Sequence, residues 1–306
     1  MKNGNMKVRN PILLVITALI WGVAFVAQQQ GGEMLGPYSF NGIRSLLGGL
    51  VLLPVLAVMR RKGKKETSNR RELLTGGCLC GFFLFAGSTV QQLGLYYGAG
   101  VGKAGFLTAF YIILVPILGI FIKRKCGFHI WGAVLLALVG FYFLCVNGDF
   151  VLKGADLLLL ACALLFAIHI LVIDYFSPRV NGVAMSCIQF FVCGILSIVP
   201  MMTENGDGLR LLIVSRGAWI PVLYGGIMSC GVAYTLQIVG QKGVNPTVAS
   251  LLLSLESVFS VLAGWILLGE ELTGRELLGC GLIFIAIILA QLPIKTDKNT
   301  FEKGLE

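Results

Sequence analysis

Charged residues are scarce in this chain. Only 13% of its 306 residues are Asp, Glu, Lys or Arg, whereas soluble globular proteins carry about 25%. Hydrophobic residues make up 57%, and the mean hydropathy is +0.87. One soluble core cannot hold so much apolar material, because a domain of this size still needs a largely polar surface. The composition excludes an ordinary soluble domain and predicts that lipid covers much of the protein.

Groups that carry catalysis are also rare. His129 and His169 are the only histidines, and the sequence has no glycine-rich phosphate loop, no HExxH and no recognisable Ser/His/Asp set. The nine cysteines lie mostly inside apolar segments, and Cys78 and Cys80 lack the two-residue spacing of a metal or redox pair. The sequence therefore predicts a protein that is not an enzyme, with no metal site, disulfide framework or cofactor. A polytopic membrane enzyme stays open as an alternative.

Apolar stretches of about 20 residues are typical of transmembrane helices, and this chain has ten. The first apolar stretch is predicted to be an uncleaved helix rather than a signal peptide, since it is long enough to span a bilayer. Helix starts are predicted at Asn10–Pro11, at Asn245–Pro246 and at Thr273, where Glu276 completes a capping box. The predicted spans are 11–30, 38–59, 73–95, 101–122, 128–147, 154–173, 183–202, 217–240, 246–268 and 275–292.

The formal net charge of +9 comes from 24 basic and 15 acidic residues. The basic residues form short runs between the apolar segments, which favours cytoplasmic loops over nucleic-acid binding. If the N-terminus is cytoplasmic, 18 Lys and Arg residues lie on the inner side and 5 on the outer side. This bias follows the positive-inside rule. It predicts a multi-pass protein of the plasma membrane with both termini in the cytoplasm, and lipid but no nucleic acid as a partner.

The second half of the sequence resembles the first at a nearly constant offset of 145 to 147 residues. Residues 18–22 resemble 163–167, residues 91–94 resemble 237–240, and Arg44 falls opposite Gln189. Five is an odd number of helices, so a second five-helix copy must enter the membrane from the opposite side. The predicted fold is an all-α integral membrane protein whose ten helices form two inverted five-helix repeats, 1–147 and 154–292, followed by a cytoplasmic tail, 293–306. Secondary transporters often use this design.

Four sequence stretches resemble the EamA-type members of the drug/metabolite transporter superfamily. They are residues 18–25 (ALIWGVAF), 102–108 (GKAGFLT) with Val115–Pro116, 255–257 (LES) and 267–270 (LLGE). The resemblance covers about residues 11–292. It implies ten helices, two repeats and export of small metabolites, often amino acids or drug-like compounds. Ser257 stands where the family usually has proline, which removes the usual cause of a kink in the ninth helix.

Ionisable groups inside a bilayer cost about 2.5–3.5 kcal/mol each, so they need partners or water. Arg44 either faces the cavity as a receptor for an anionic group or ties the bundle together. Glu256 either binds a cation or exchanges the coupling proton, with nearby serines bonding its neutral form, or it has a structural role. His169 is the other proton-coupling candidate and could equally be a packing residue. Glu270, at a helix end, is interpreted as structural.

Other aromatic and polar residues share helix faces with these groups and could line a largely apolar cavity, or could simply pack. Lys103 either snorkels to the interface or attracts an anionic solute. The sequence predicts a secondary transporter that exports a small solute by alternating access, with proton coupling as an option and a channel as a further alternative. The predicted cavity residues, besides Arg44 and Lys103, are Trp21, Phe25, Gln28, Gln91, Gln92, Phe106, Phe110, Tyr111, Tyr234 and Gln237.

Overall fold

The structure, a computed structural model, describes residues 2–61, 69–99, 101–122, 127–145, 153–204, 213, 216–263, 265–266 and 273–291. Ten apolar segments are helical, and the described residues include no β-strand. Eight of the helices are long and apolar enough to cross a membrane, and the fifth is a shorter apolar helix. The tenth covers 18 residues and packs mainly against the fifth. The predicted ten-helix fold is confirmed.

Two of the ten helices are interrupted, and one changes its hydrogen-bonding pattern along its length. Helix α8 contains a long π-helical part, in which the backbone hydrogen bonds span five residues. The helices are α1 (Lys2–Leu35), α2 (Pro37–Arg61), α3 (Arg70–Tyr96), α4 (Val101–Thr108 and Tyr111–Phe121), α5 (Phe128–Cys145), α6 (Gly154–Phe176), α7 (Gly182–Thr203), α8 (Trp219–Leu223, Tyr224–Tyr234 and Thr235–Gly240), α9 (Pro246–Leu253 and Leu255–Ala263) and α10 (Gly274–Gln291).

Two of the three predicted helix starts are confirmed. The Asn245 side chain accepts from Thr247 N (2.9 Å), and Thr273 and Glu276 form the predicted capping box. The prediction at Asn10 is wrong, because α1 already begins at Lys2 and includes Pro11. Asn10 is engaged elsewhere, since its Nδ2 donates to the Lys242 carbonyl at 2.7 Å. Its amide therefore joins the N-terminal part of α1 to the α8–α9 connection.

The helix packing has the symmetry that two inverted repeats require. Helix α1 packs against α8 and α9, just as α6 packs against α3 and α4. Helices α2 and α7 pack against each other, and so do α5 and α10. Exchanging α1–α5 with α6–α10 leaves this pattern unchanged. The inverted-repeat architecture is thus visible in the contacts, while the repeat boundaries drawn from the sequence stay predictions and the predicted tail lies outside the described residues.

A pair of side-chain hydrogen bonds repeats the same symmetry. Asn41 on α2 donates to Thr89 Oγ1 on α3 at 3.1 Å. Ser186 and Thr235, on the equivalent helices α7 and α8, are joined at 2.8 Å. The two bonds connect positions that are 145 and 146 residues apart in the sequence. The repeat offset read from the sequence therefore identifies structurally equivalent residues.

Helices α5 and α10 approach closely because glycine lies at their contact. A Cβ on Gly279 would lie 2.6 Å from the Gly140 carbonyl oxygen and from the Leu144 nitrogen. Both obstructing atoms are backbone and cannot rotate away. Close approach of this kind is how small residues promote helix association in membranes.

We expect Gly279→Ala to destabilise the protein, because overpacking costs typically about 1–3 kcal/mol. Gly281 is a matched control on the same helix, since a Cβ there would meet nothing within 4 Å. Gly281→Ala should be neutral or stabilise by about 0.5–1 kcal/mol, the usual gain of alanine over glycine in a helix. Thermal unfolding of the purified variants in detergent measures both changes in stability. Equal melting temperatures for the two variants would contradict the proposed contact.

Candidate functional site

The interruptions in α4 and α9 occur at equivalent positions of the two repeats. Helix α4 breaks at Ala109–Phe110 and α9 breaks at Ser254, which is 145 residues after Ala109. The first bonds after each break also correspond: Ile112 N donates to Ala109 O at 3.0 Å, and Ser257 N donates to Ser254 O at 3.1 Å. Interrupted helices within a membrane occur where the backbone is buried in protein or lines a cavity. In transporters, such a pair marks the solute site.

Helix α9 is interrupted at Ser254, although Ser257 stands where the family usually has the proline that would kink it. The Ser254 hydroxyl donates to the Leu251 carbonyl at 2.8 Å. Serine bonds of this type compete with regular helical hydrogen bonding and often bend helices. A local serine bond therefore accompanies the interruption of α9 without a proline.

A cavity that is partly open to solvent lies between the two interrupted helices. Seven helices from both repeats surround it. Four pairs of lining residues are related by the repeat offset, so the cavity lies across the pseudo-two-fold axis. These pairs are Trp21 with Phe166, Phe25 with Ile170, Gln91 with Gln237, and Tyr111 with Glu256. The other lining residues are Gln28, Arg44, His169, Ser229, Tyr234 and Leu253.

Arg44 brings a buried positive charge to this cavity. Its Nε and one terminal nitrogen donate to Asn41 Oδ1 at 3.2 and 2.9 Å, and its guanidinium lies 5.4 Å from the centre of the Phe40 ring. Asn41 in turn donates to Ser88 and Thr89 on α3. No carboxylate among the described residues forms an ion pair with Arg44. A guanidinium has five donors, so Arg44 can bind an anion while keeping Asn41.

Glu256 brings a buried carboxylate to the same cavity, in the first turn after the break of α9. Its Oε1 accepts from the Tyr111 hydroxyl at 3.1 Å. Within the described part of the chain, no basic side chain pairs with it. The three nearby serines that we expected to bond Glu256 do not do so in this structure. Their hydroxyls donate to backbone carbonyls instead. These serines are Ser254, Ser257 and Ser260.

His169 faces neutral groups. Its Nε2 lies 3.2 Å from Gln189 Oε1, and its ring meets the edge of Tyr234 with 6.1 Å between centroids. The Trp21 ring also contacts Tyr234, with 4.5 Å between ring centroids and a tilt of 57° between the ring planes. Gln189 is the repeat counterpart of Arg44. This position therefore carries a positive charge in the first repeat, whereas in the second repeat it is a neutral amide that contacts His169.

Several polar atoms of the lining have no hydrogen-bond partner among the described residues. They are the indole Nε1 of Trp21 and the Oε1 atoms of Gln28 and Gln237. Buried polar groups are nearly always hydrogen-bonded in proteins, to protein or to water. A donor and two acceptors on residues that line one cavity are suited to a solute that both accepts and donates hydrogen bonds.

Ten of the fourteen predicted site residues line the cavity, and four lie elsewhere. Gln92 donates to the Gln28 carbonyl at 2.8 Å and joins α3 to α1. Lys103 forms an ion pair with Asp156 of α6 at 2.6 Å and is not among the residues that line the cavity. Phe106 and Phe110 pack edge to face at 5.2 Å. Glu270 lies outside the described residues.

Sequence reasoning missed four lining residues. The repeat offset could have found Phe166 and Ile170, since they are the counterparts of Trp21 and Phe25. No comparable signal points to Ser229 or Leu253. Ser229 lies in the π-helical part of α8, and such local widening is common at functional sites but is not readable from the sequence.

Two inverted five-helix repeats around a cavity at paired helix breaks define the architecture of a secondary transporter. A family model described as the EamA-like transporter family matches residues 10–146 and again 153–292. An uncharacterized transporter of Archaeoglobus fulgidus is 31% identical over 288 residues, which cover 92% of this chain and 85% of that protein. This chain belongs to the EamA-like transporter family.

A second relative carries a more specific name. The threonine/homoserine exporter RhtA of Escherichia coli (strain K12) is 26% identical over 310 residues, covering 95% of this chain and 94% of that protein. A solved crystal structure with 18% sequence identity has a TM-score of 0.72 and covers 92% of this chain and 96% of its own. This last similarity concerns the fold alone.

Proposed function

We propose that this protein exports a small solute that carries both a carboxylate and an amino group, as amino acids do. The observation that carries the proposal is that Arg44 and Glu256 line one cavity and neither has an oppositely charged partner among the described residues. A dipolar solute would supply both partners. The name of the exporter RhtA supports both the class of solute and the direction of transport.

The proposed mechanism is alternating access. An inverted pair of repeats can adopt two arrangements that are related by the pseudo-two-fold axis, one open to each side of the membrane. The interrupted helices α4 and α9 supply equivalent moving parts on the two sides of the cavity. Export against a gradient needs an energy source, and the sequence has no nucleotide-binding motif. The proton gradient is the proposed driver, with Glu256 the first coupling candidate and His169 the second.

We place the protein in the plasma membrane with both termini in the cytoplasm, on the basis of the 18-to-5 distribution of basic residues. A reporter that is active only outside the cytoplasm, fused after Glu306, should be silent. Strong activity of that fusion would contradict the proposed orientation.

The proposed function is tested by counterflow in proteoliposomes, with L-threonine as the first probe. We expect saturable uptake of labelled L-threonine into vesicles preloaded with unlabelled L-threonine. A growth-inhibition screen of amino acids, with and without overexpression, selects further probes. A channel would give flux without counterflow, an enzyme would give a chemically altered product, and either result would overturn the proposal.

A further inference from the structure

The hydrogen bond between Tyr111 and Glu256 joins the two interrupted helices across the pseudo-two-fold axis. The two residues are repeat counterparts, 145 positions apart. Tyr111 is the first residue of the second half of α4, and Glu256 lies in the first turn of the second half of α9. The bond therefore connects the two helices directly after their interruptions.

This bond is reachable from the cavity. Tyr111 and Glu256 both line it, although their residues are only 3% and 5% exposed. Ser257 also joins α9 to α4, through a bond to the Gly105 carbonyl at 3.1 Å, but neither of those residues lines the cavity. A bound solute can thus replace the Tyr111 bond and leave the Ser257 bond in place.

Tyr111 is a weaker partner for the carboxylate than an ammonium group would be. The O···O distance of 3.1 Å exceeds the 2.5–2.7 Å that is typical of a hydroxyl bound to a carboxylate. An ammonium group brings three donors and a full positive charge, and charge-assisted bonds are roughly twice as strong as neutral ones. An amino-bearing solute in the cavity would therefore displace the hydroxyl from Glu256.

We propose that the Tyr111 hydroxyl is a built-in competitor for the amino group of the solute. It satisfies Glu256 in the empty transporter, and its displacement by the solute removes the hydrogen bond that joins the second half of α4 to the second half of α9. Tyr111 is then a specificity-determining residue, because only a solute with an amino group releases the bond. This inference rests on the proposed function and adds to it a link between solute chemistry and helix release.

The test is Tyr111→Phe, which removes the competitor and keeps the ring. We expect the half-saturation concentration for L-threonine counterflow to fall by about tenfold, as expected for the loss of a hydrogen bond to a charged group. Inhibition of counterflow by 3-hydroxybutyrate, which is threonine without its amino group, should be unchanged. A purely structural tyrosine would instead weaken the binding of both compounds.

Tyr224→Phe is the matched control, because Tyr224 also donates its hydroxyl between helices, to the Ile20 carbonyl at 3.0 Å, and does not line the cavity. Tyr224→Phe should leave the half-saturation concentration for L-threonine and the inhibition by 3-hydroxybutyrate unchanged. If Tyr111→Phe does not fold, Glu256→Gln tests the same idea: glutamine still accepts from Tyr111, so L-threonine should lose its advantage over 3-hydroxybutyrate. A Tyr111→Phe protein with a higher half-saturation concentration for L-threonine, or a Glu256→Gln protein that still favours L-threonine, would overturn the inference. Absence of counterflow in the wild-type protein would overturn the proposed function as well.

Discussion

Arg44→Ala is expected to lower L-threonine counterflow by about 100-fold. A guanidinium can hold a carboxylate through two charge-assisted hydrogen bonds, each contributing about 1.5–3 kcal/mol. The cavity has no second cationic side chain among its lining residues. Arg44→Lys should recover little of the activity, because a lysine ammonium lacks the planar two-pronged geometry.

The Arg44→Lys variant also shows whether Arg44 binds the solute or has a structural role. Arg44 contacts Asn41, which connects α2 to α3, so its loss could also loosen the bundle. The probe for this question is 1-aminopropan-2-ol, which is threonine without its carboxylate. We expect 1-aminopropan-2-ol to raise the melting temperature of purified Arg44→Lys as it does for the wild type, whereas L-threonine should stabilise the wild type alone. Loss of both stabilising effects in correctly inserted protein would assign Arg44 to packing, and normal L-threonine flux would reject both roles.

The fold could be predicted from the sequence because lipid imposes strong rules on it. Every spanning segment needs a long apolar helix, and basic residues gather on one side. The repeat offset then fixed which helices are equivalent, as the bonds of Asn41 and Ser186 confirm. Helix ends were less predictable, since Asn10 reads as a cap but forms a tertiary contact with Lys242.

The site could be predicted only in part, because the sequence does not specify how each helix is rotated about its axis. Gln91 and Gln92 are neighbours, yet one lines the cavity and the other donates to the α1 backbone. Lys103 could not be assigned because its partner, Asp156, lies 53 residues away on another helix. Charged groups near mid-membrane were the strongest signal, since an unneeded charge there is costly.

The two repeats have the same helix packing, but their charged residues lie at positions that do not correspond. Lining positions that correspond between the repeats are mostly apolar or amide in both copies, as in Trp21 with Phe166 and Gln91 with Gln237. The charges break this pattern, because Glu256 corresponds to Tyr111 and Arg44 corresponds to Gln189. The two repeats therefore have equivalent frames but different charged groups, which is the combination that the proposed transport of a solute with two unlike ends needs.

Glu256→Gln is expected to abolish the stimulation of transport by a pH gradient. If export is proton-driven, one group must take up a proton on one side of the membrane and release it on the other. Glu256 lies in the first turn after the α9 break and lines the cavity, where the proposed alternating access would change its exposure. Glutamine keeps the shape and can still accept from Tyr111, but it does not titrate between pH 5 and 9.

The measurement is L-threonine flux in proteoliposomes at saturating solute, with and without an imposed pH gradient. Wild-type flux should rise several-fold with the gradient, whereas residual flux in Glu256→Gln should not respond. His169→Gln is the matched control, because it removes the second titratable side chain of the cavity and should keep the response. A Glu256→Gln protein that still responds would exclude Glu256 from coupling. If His169→Gln alone loses the response, the coupling proton belongs to His169, whose contact with Gln189 would then be the next one to vary.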